Sequence, residues 1–173
     1  METIKLIKKA KKGDKEALLS LIMLQKSDYY KLAFVYMKNE EDTLDVLQDM
    51  ILILYDNIKK LKKDEAFYSW SKTILVNSCK AKLRKDSNIL LQDQVEDHRL
   101  LEYFDDPEDR IVLDKYISRL SLKHQEVIKL RYYLDYDYES ISQVLKIPLG
   151  TVKSRLNAGI SKLKEALGGD YYG

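Results

Sequence analysis

The stretch "IPLGTVKSRLNAGISKLKEAL" (147–167) sets a proline-containing turn directly before an amphipathic helix. At about 100° per residue, Val152, Leu156, Ile160 and Leu163 form one apolar stripe. Thr151, Ser154, Asn157 and Ala158 fall on the far side, with Lys153 and Arg155 on the flanks. A purely structural helix needs a cap and a stripe; this one adds a compact polar and basic face at its N-terminal end. Small hydroxyl and amide side chains reach base edges in a major groove, while flanking cations grip phosphates.

The segment before it supports that reading. Pro148 disfavours helix at Ile147, and Gly150 is expected to supply backbone freedom near the helix start. Thr151 is expected as a cap or first-turn residue. Tyr138–Leu145 reads as a short helix with Ile141, Val144 and Leu145 apolar, so the two helices and their turn spell a helix-turn-helix. Upstream, Pro107 can open a helix carrying Ile111, Leu113, Ile117 and Leu120. Ser121 can cap the next one, with Val127, Ile128 and Leu130 inward, and "YLDYDYE" breaks the chain after it.

The whole chain has 173 residues, with 6 Gly, 2 Pro and a single cysteine, Cys79. Scarce Gly and Pro with abundant Leu, Lys, Ile and Glu favour helix, and no alternating strand pattern with hairpin turns is present. The expected fold is all-α: two small helical domains, 1–90 and 107–173, joined by an acidic linker, 91–106. The longest apolar run, "MILILY" (50–55), is far too short to span a bilayer. The N-terminus has no signal-peptide core. A lone cysteine allows no intramolecular disulfide, so a cytoplasmic location is expected.

Charge follows the same division. Residues 1–90 carry 18 Lys+Arg against 13 Asp+Glu, residues 91–106 carry one against six, and residues 107–173 carry 11 against 9. Two mildly basic blocks flank an acidic bridge, a layout that suits a polyanionic partner at each block.

In the N-terminal block, "DTLDVLQDMILILYDNI" (42–58) reads as a helix with Leu44, Leu47, Ile51, Leu54 and Ile58 in one row. Val46, Met50 and Ile53 sit well around from that row, so the helix is either deeply buried or serves a partner as well as its own core. Asp45, Gln48 and Asp49 lie largely off the row. In "LKKDEAFYSWSKTILVNSCKAKLRK" (61–85), aromatics interleave with cations, the pattern that single-stranded DNA binding needs. Trp70, Ile74, Asn77 and Ala81 share one face, and core packing is the preferred reading of Trp70.

These stretches together resemble the extracytoplasmic-function sigma factors of bacteria. "PLGTVKSRL" is similar to the opening of the family's region 4 helix, which reads the −35 promoter element. Gly159 stands where many members carry Ala, and Asn157 and Ala158 also depart from the common pattern. "LDVLQDM" looks like region 2.2, which docks on the largest polymerase subunit, and Phe67, Trp70 and Asn77 match a region 2.3–2.4 pattern. Ser71 and Thr73 replace frequent Leu and Arg, and Ala81 replaces an acid or amide. A likeness to the sigma-V type group, whose members answer envelope stress, is also visible.

The resemblance implies a transcription initiation factor, with no catalysis, cofactor or metal of its own and no small-molecule substrate. It assigns Thr151, Lys153, Ser154, Arg155 and Asn157 to −35 DNA. It assigns Lys62, Lys63, Phe67, Tyr68, Lys72, Asn77, Lys80 and Arg84 to −10 DNA, with a flipped base captured near Asn77. Asp45, Gln48 and Asp49 would face core RNA polymerase. A membrane-anchored anti-sigma factor would hold the protein inactive, and the free chain would be a monomer. The linker would run through the RNA-exit region.

Two other readings stand beside it. A polymerase-independent helix-turn-helix regulator would use the N-terminal block as a dimerisation domain and bind a palindrome. An enzyme has little to stand on. His98 and His124 pair with no nucleophile or metal-ligand cluster and read as surface or linker residues, and no phosphate-binding loop occurs. Cys79 reads as a buried helix thiol.

Overall fold

A computed structural model describes residues 2–89 and 107–172. The expected acidic linker, 91–106, and His98 within it lie outside the described residues. The chain divides into two compact units, Met1–Val95 and Glu96–Gly173, and every described element in both is helical.

The first unit holds α1 (Glu2–Lys11), α2 (Lys15–Leu24), α3 (Lys26–Met37), α4 (Glu40–Asn57) and α5 (Phe67–Ile89). The chain turns from α1 to α2 at Gly13, whose φ of 98° favours a residue without Cβ. Asp14 then caps α2 by accepting from the Ala17 N–H at 3.1 Å. Asn39 does the same for α4, accepting from the Asp42 N–H at 2.8 Å. The acids Glu40, Glu41 and Asp42 complement the positive end of that helix.

The middle helix, α3, is buried nearly all round through Tyr29, Leu32, Ala33, Phe34, Val35, Tyr36 and Met37. It lies against both α4 and α5. Helix α5 answers with Phe67, Ser71, Leu75, Val76 and Cys79. Burying each such leucine contributes about 1.5–3 kcal/mol. The hydroxyls of Tyr29 and Ser71 meet at 2.7 Å inside this contact. Ser71 also donates to the Tyr68 carbonyl at 3.1 Å, and Thr73 to the Ser69 carbonyl at 2.9 Å. The two departures from the family pattern at 71 and 73 are therefore satisfied buried hydroxyls. Cys79 is buried as expected, and burial pushes its thiol up to about 12.

Helix α4 faces inward only in part as its leucine spacing predicts. The buried row is Thr43, Val46, Met50 and Leu54, while Leu44, Leu52, Ile53 and Tyr55 are exposed. Both apolar stripes contribute to the core: Leu54 and Ile58 of the expected row are buried and Leu47 and Ile51 half-buried, while Val46 and Met50 of the second stripe are buried and its Ile53 is exposed.

The second unit holds α6 (Pro107–Ile117), α7 (Leu122–Ile128), α8 (Tyr138–Leu145) and α9 (Leu149–Tyr172). Ser121 precedes α7, but its hydroxyl sits 3.1 Å from His124 Nδ1 rather than on a backbone N–H. The end of α7 widens into a π-helical turn, Lys129–Tyr133. His124, expected at the surface, is only 5 % exposed. It lies under α9, because Gly159 lets the two helices close together. A Cβ at Gly159 would stand 2.9 Å from Ile128 Cδ1 and 3.3 Å from His124 Cβ.

No described helix is long and apolar enough to cross a membrane.

Two predictions follow from the α7–α9 contact. Gly159→Leu overpacks it at about 1–3 kcal/mol, more than the roughly 1 kcal/mol that leaving Gly gains in a helix. The circular-dichroism melting midpoint should fall, while the fluorescence of Trp70, the single tryptophan and in the other unit, moves less. Burial first, then the charges of Lys162, Lys123 and Arg155, hold His124 below its ordinary 6.5. The unfolded chain therefore takes up this proton first on acidification. His124's contribution to stability is complete above about pH 6.5 and is lost as pH falls below it. Melting at pH 7.5 and 5.5 should show this drop, and His124→Gln should shrink it.

Candidate nucleic-acid interface

The helix-turn-helix is locked by a few short polar contacts. Asp137 caps α8, accepting from the Ser140 N–H at 2.7 Å. That hydrogen bond leads the causes that hold the Asp137 carboxyl below its usual range. At the other end the left-handed residue is Lys146, with φ 54°. Gly150, expected to provide the freedom, instead lies within the first turn of α9. The Ser142 hydroxyl donates to the Ile147 carbonyl at 2.6 Å and ties the turn to α8. Thr151 is a first-turn residue: its N–H and that of Val152 both reach the Pro148 carbonyl.

Ile141 and Val144 of α8 and Val152, Leu156 and Gly159 of α9 are buried. Ile160 and Leu163, expected in the same stripe, are half-buried. The opposite face of α9 is therefore outward. Lys153, Ser154 and Asn157 are exposed, and Thr151 and Arg155 are half-buried. All five residues expected at −35 DNA lie in the first three turns of one helix. The sequence reading missed Arg131 and Tyr138, which line one open cleft with Asp137, Glu139, Leu149 and Lys153 beside the start of α9. The Arg131 guanidinium lies 5.6 Å over the Tyr138 ring and donates to the Tyr136 carbonyl at 3.3 Å. "YLDYDYE" reads as a helix break, and nothing in that pattern signals a fixed cation.

The first unit splits the expected −10 set. Lys62 and Lys63 are exposed in the loop before α5, and Asn77 and Arg84 are exposed on the helix, with Lys80 half-buried. Phe67 is not available for stacking: it is 1 % exposed. Its ring meets Tyr68 edge-on at 5.2 Å and Trp70 at 6.3 Å. An aromatic ring with no polar atom gains most from full burial. Trp70 takes the reverse course. It is half-buried, on the face that also carries exposed Asn77 and Ala81. Tyr68 is half-buried, and its hydroxyl donates to the Leu21 carbonyl at 3.0 Å.

Lys72 is also set apart. Five residues from Asn77 along a continuous helix is about 140° around it. Burial lowers the Lys72 pKa, and Asp28 acts in the opposite direction. This places Lys72 toward α3 rather than among Asn77, Lys80 and Arg84.

Asp45, Gln48 and Asp49 are exposed on α4. Lys82 of α5 reaches Asp42 at 3.6 Å and Asp45 at 4.0 Å. Leu44, Gln48, Leu52 and Tyr55 recur at helical spacing on this outer face, and Leu52 is 66 % exposed. An apolar strip edged by acids is a protein-docking surface in its chemistry, not a nucleic-acid one.

Comparison with known proteins assigns both units. The Sigma-70 region 2 family model matches residues 21–89, and the Sigma-70, region 4 model matches residues 116–165. The chain is 29 % identical to RNA polymerase sigma factor SigV of Bacillus subtilis, over 90 % of this chain and 94 % of that one. It is 28 % identical to the ECF RNA polymerase sigma factor SigW of the same organism, over 94 % and 95 %. These two values do not separate a sigma-V type group from SigW. Its fold is shared with CnrH, solved in complex with the cytosolic domain of CnrY (TM-score 0.70, 18 % identity, 98 % and 99 % of the two chains). It is shared too with the sigma factor RpoE of Bartonella quintana, solved with the anti-sigma factor NepR (TM-score 0.65, 22 % identity, 84 % and 93 %). Together the two region models span more than two thirds of the 173 residues, and the chain belongs to the sigma-70 family of RNA polymerase sigma factors, of the extracytoplasmic-function type.

Proposed function

We propose that this chain binds core RNA polymerase, directs initiation at a −10/−35 promoter, and is held inactive by an anti-sigma factor. One observation carries the reading: a region 2 unit and a region 4 unit occur on one chain, each with a polar, cation-bearing face turned outward. A helix-turn-helix regulator needs only the second.

The outer face of α4 is the proposed polymerase contact, through Asp45, Gln48 and Asp49 with Leu44, Leu52 and Tyr55 around them. Lys62, Lys63, Asn77, Lys80 and Arg84 form the −10 surface, with Trp70 and Tyr68 as its accessible aromatic edge and Phe67 as the core residue that sets α5 in place. Thr151, Ser154 and Asn157 read −35 base edges, while Lys153, Arg155 and Arg131 hold phosphates. Each surface alone binds weakly, and polymerase joins them so that their effective concentrations multiply the affinity. The chain carries out no reaction; the polymerase makes the RNA.

The anti-sigma proposal draws on the NepR complex of the structurally similar RpoE. A membrane-anchored partner would hold this cytoplasmic protein at the membrane, and the same exposed α4 leucines would serve that partner.

Run-off transcription with core polymerase and the DNA upstream of the protein's own gene tests the reading. A transcript should require the protein, and Asp49→Arg should abolish both transcript and core binding. A DNA shift by a dimer of the protein alone, with no transcript, would favour the regulator instead. Within the −35 surface the roles separate. Asn157→Ala should relax preference at one base pair by about 1–3 kcal/mol. Lys153→Ala should weaken all sequences alike and lower the salt slope of binding by about 1.

A further inference from the structure

The region 2 match begins at residue 21, which leaves α1 without an assigned role. This helix is firmly seated nonetheless. It buries Ile7 and Ala10 and packs on α2. It also touches two short turns, Ile58–Lys60 and Asp64–Ala66, that bracket the loop with Lys62 and Lys63. Lys11 Nζ forms an ion pair with Asp64 Oδ1 across that contact.

Helical geometry decides what stands next to the ion pair. Measured from buried Ile7, Lys11 lies about 40° around the helix and Lys8 about 100°, in the same sense, and Lys12 follows Lys11 in the turn that leaves α1, its N–H bonded to the Lys9 carbonyl. Lys8 and Lys12 are thus the outward neighbours of Lys11 on the side of the loop, and both are exposed. Across the ion pair stand Lys59, Lys60, Lys62 and Lys63, likewise exposed. Lys11 neutralises Asp64, the acid next to Lys63 in the chain, which leaves Glu65 as the exposed acid of the loop. Two segments far apart in sequence therefore build one cationic surface, continuous with the proposed −10 surface.

We propose that Lys8 of α1 and Lys12 in the turn just after it form, with Lys59, Lys60, Lys62 and Lys63, a grip for the phosphate backbone of single-stranded promoter DNA outside the −10 bases. The proposal rests on reading the 61–84 segment as the −10 surface. Lys8 and Lys12 stand four residues apart across the end of α1, which suits neighbouring phosphates on an extended strand. Helix α1 has no aromatic residue, so the grip works by charge and not by stacking. It adds affinity and salt dependence without sequence preference.

The test measures binding of the full-length chain to dye-labelled oligo(dT) of graded length, by anisotropy from low to moderate salt. Lys8→Ala/Lys12→Ala replaces exposed residues and should fold normally. It should weaken long oligonucleotides several-fold while leaving short ones nearly unchanged. It should also lower the slope of log affinity against log salt by about 1.4, at roughly 0.7 per lost phosphate contact on a single strand. Unchanged slope and length dependence would overturn the proposal, as would failure of the unsubstituted chain to hold long oligo(dT) at low salt. A parallel fall in affinity for core polymerase would assign α1 to the polymerase instead and also overturn it. Lys62→Ala/Lys63→Ala keeps the two readings apart. If that variant changes nothing, the −10 assignment of the loop fails; if only the α1 variant changes nothing, the α1 grip fails by itself.

Discussion

The contact of α5 with α3, closed by the buried Tyr29–Ser71 hydroxyl pair, is the constraint on which the surface of the first unit depends. A helix has one rotational setting in its socket. Once Phe67, Ser71, Leu75 and Cys79 face inward, Trp70, Asn77 and Arg84 must face out. The same setting turns Lys72 toward Asp28. The buried hydroxyl pair sharpens this choice, because sliding or rotating α5 would break a hydrogen bond where water cannot replace it. The polar face is thus positioned by the apolar one.

In the second unit, Gly159 plays the corresponding part. Its missing side chain lets α7 come within van der Waals reach of α9, and that closeness buries His124 and orients the outer face of the recognition helix. The cost is a neutral imidazole enclosed near Lys123, Arg155 and Lys162. Burial first, then the charges of Lys162, Lys123 and Arg155, make protonation of His124 unfavourable, so the proposed phosphate contact Arg155 also bears on domain stability.

Both units use the same physical economy. Their cores are apolar and unremarkable in composition, and their functional surfaces are made of separate weak elements: exposed lysines, a few small polar side chains, and an apolar strip on α4. Among the described residues no group of His, Cys, Asp or Glu could hold a metal ion. Affinity in such a system comes from joining surfaces, and the proposed α1 grip extends that logic by adding a charged surface at no cost to base recognition.

Much of this was legible in the chain itself. Helical period and turn chemistry alone placed the Tyr138–Leu145 helix, the proline turn and the outward Lys153, Ser154 and Asn157, because local propensity and burial agree there. Composition and charge alone marked two basic blocks and an acidic bridge. What the sequence could not decide was how far each of the two apolar stripes on α4 enters the core, or which of Phe67 and Trp70 is buried. Each pair is locally equivalent, and only the neighbouring helices break the tie. The same holds for His124, Lys11 and Arg131: their roles come from partners distant in the chain or from a turn without a periodic signal. Periodicity is a property of one segment and is written in its sequence; the choice of face, the close approach at Gly159 and the pairing of α1 with the 58–66 loop are properties of packing, and exist only once the helices have met.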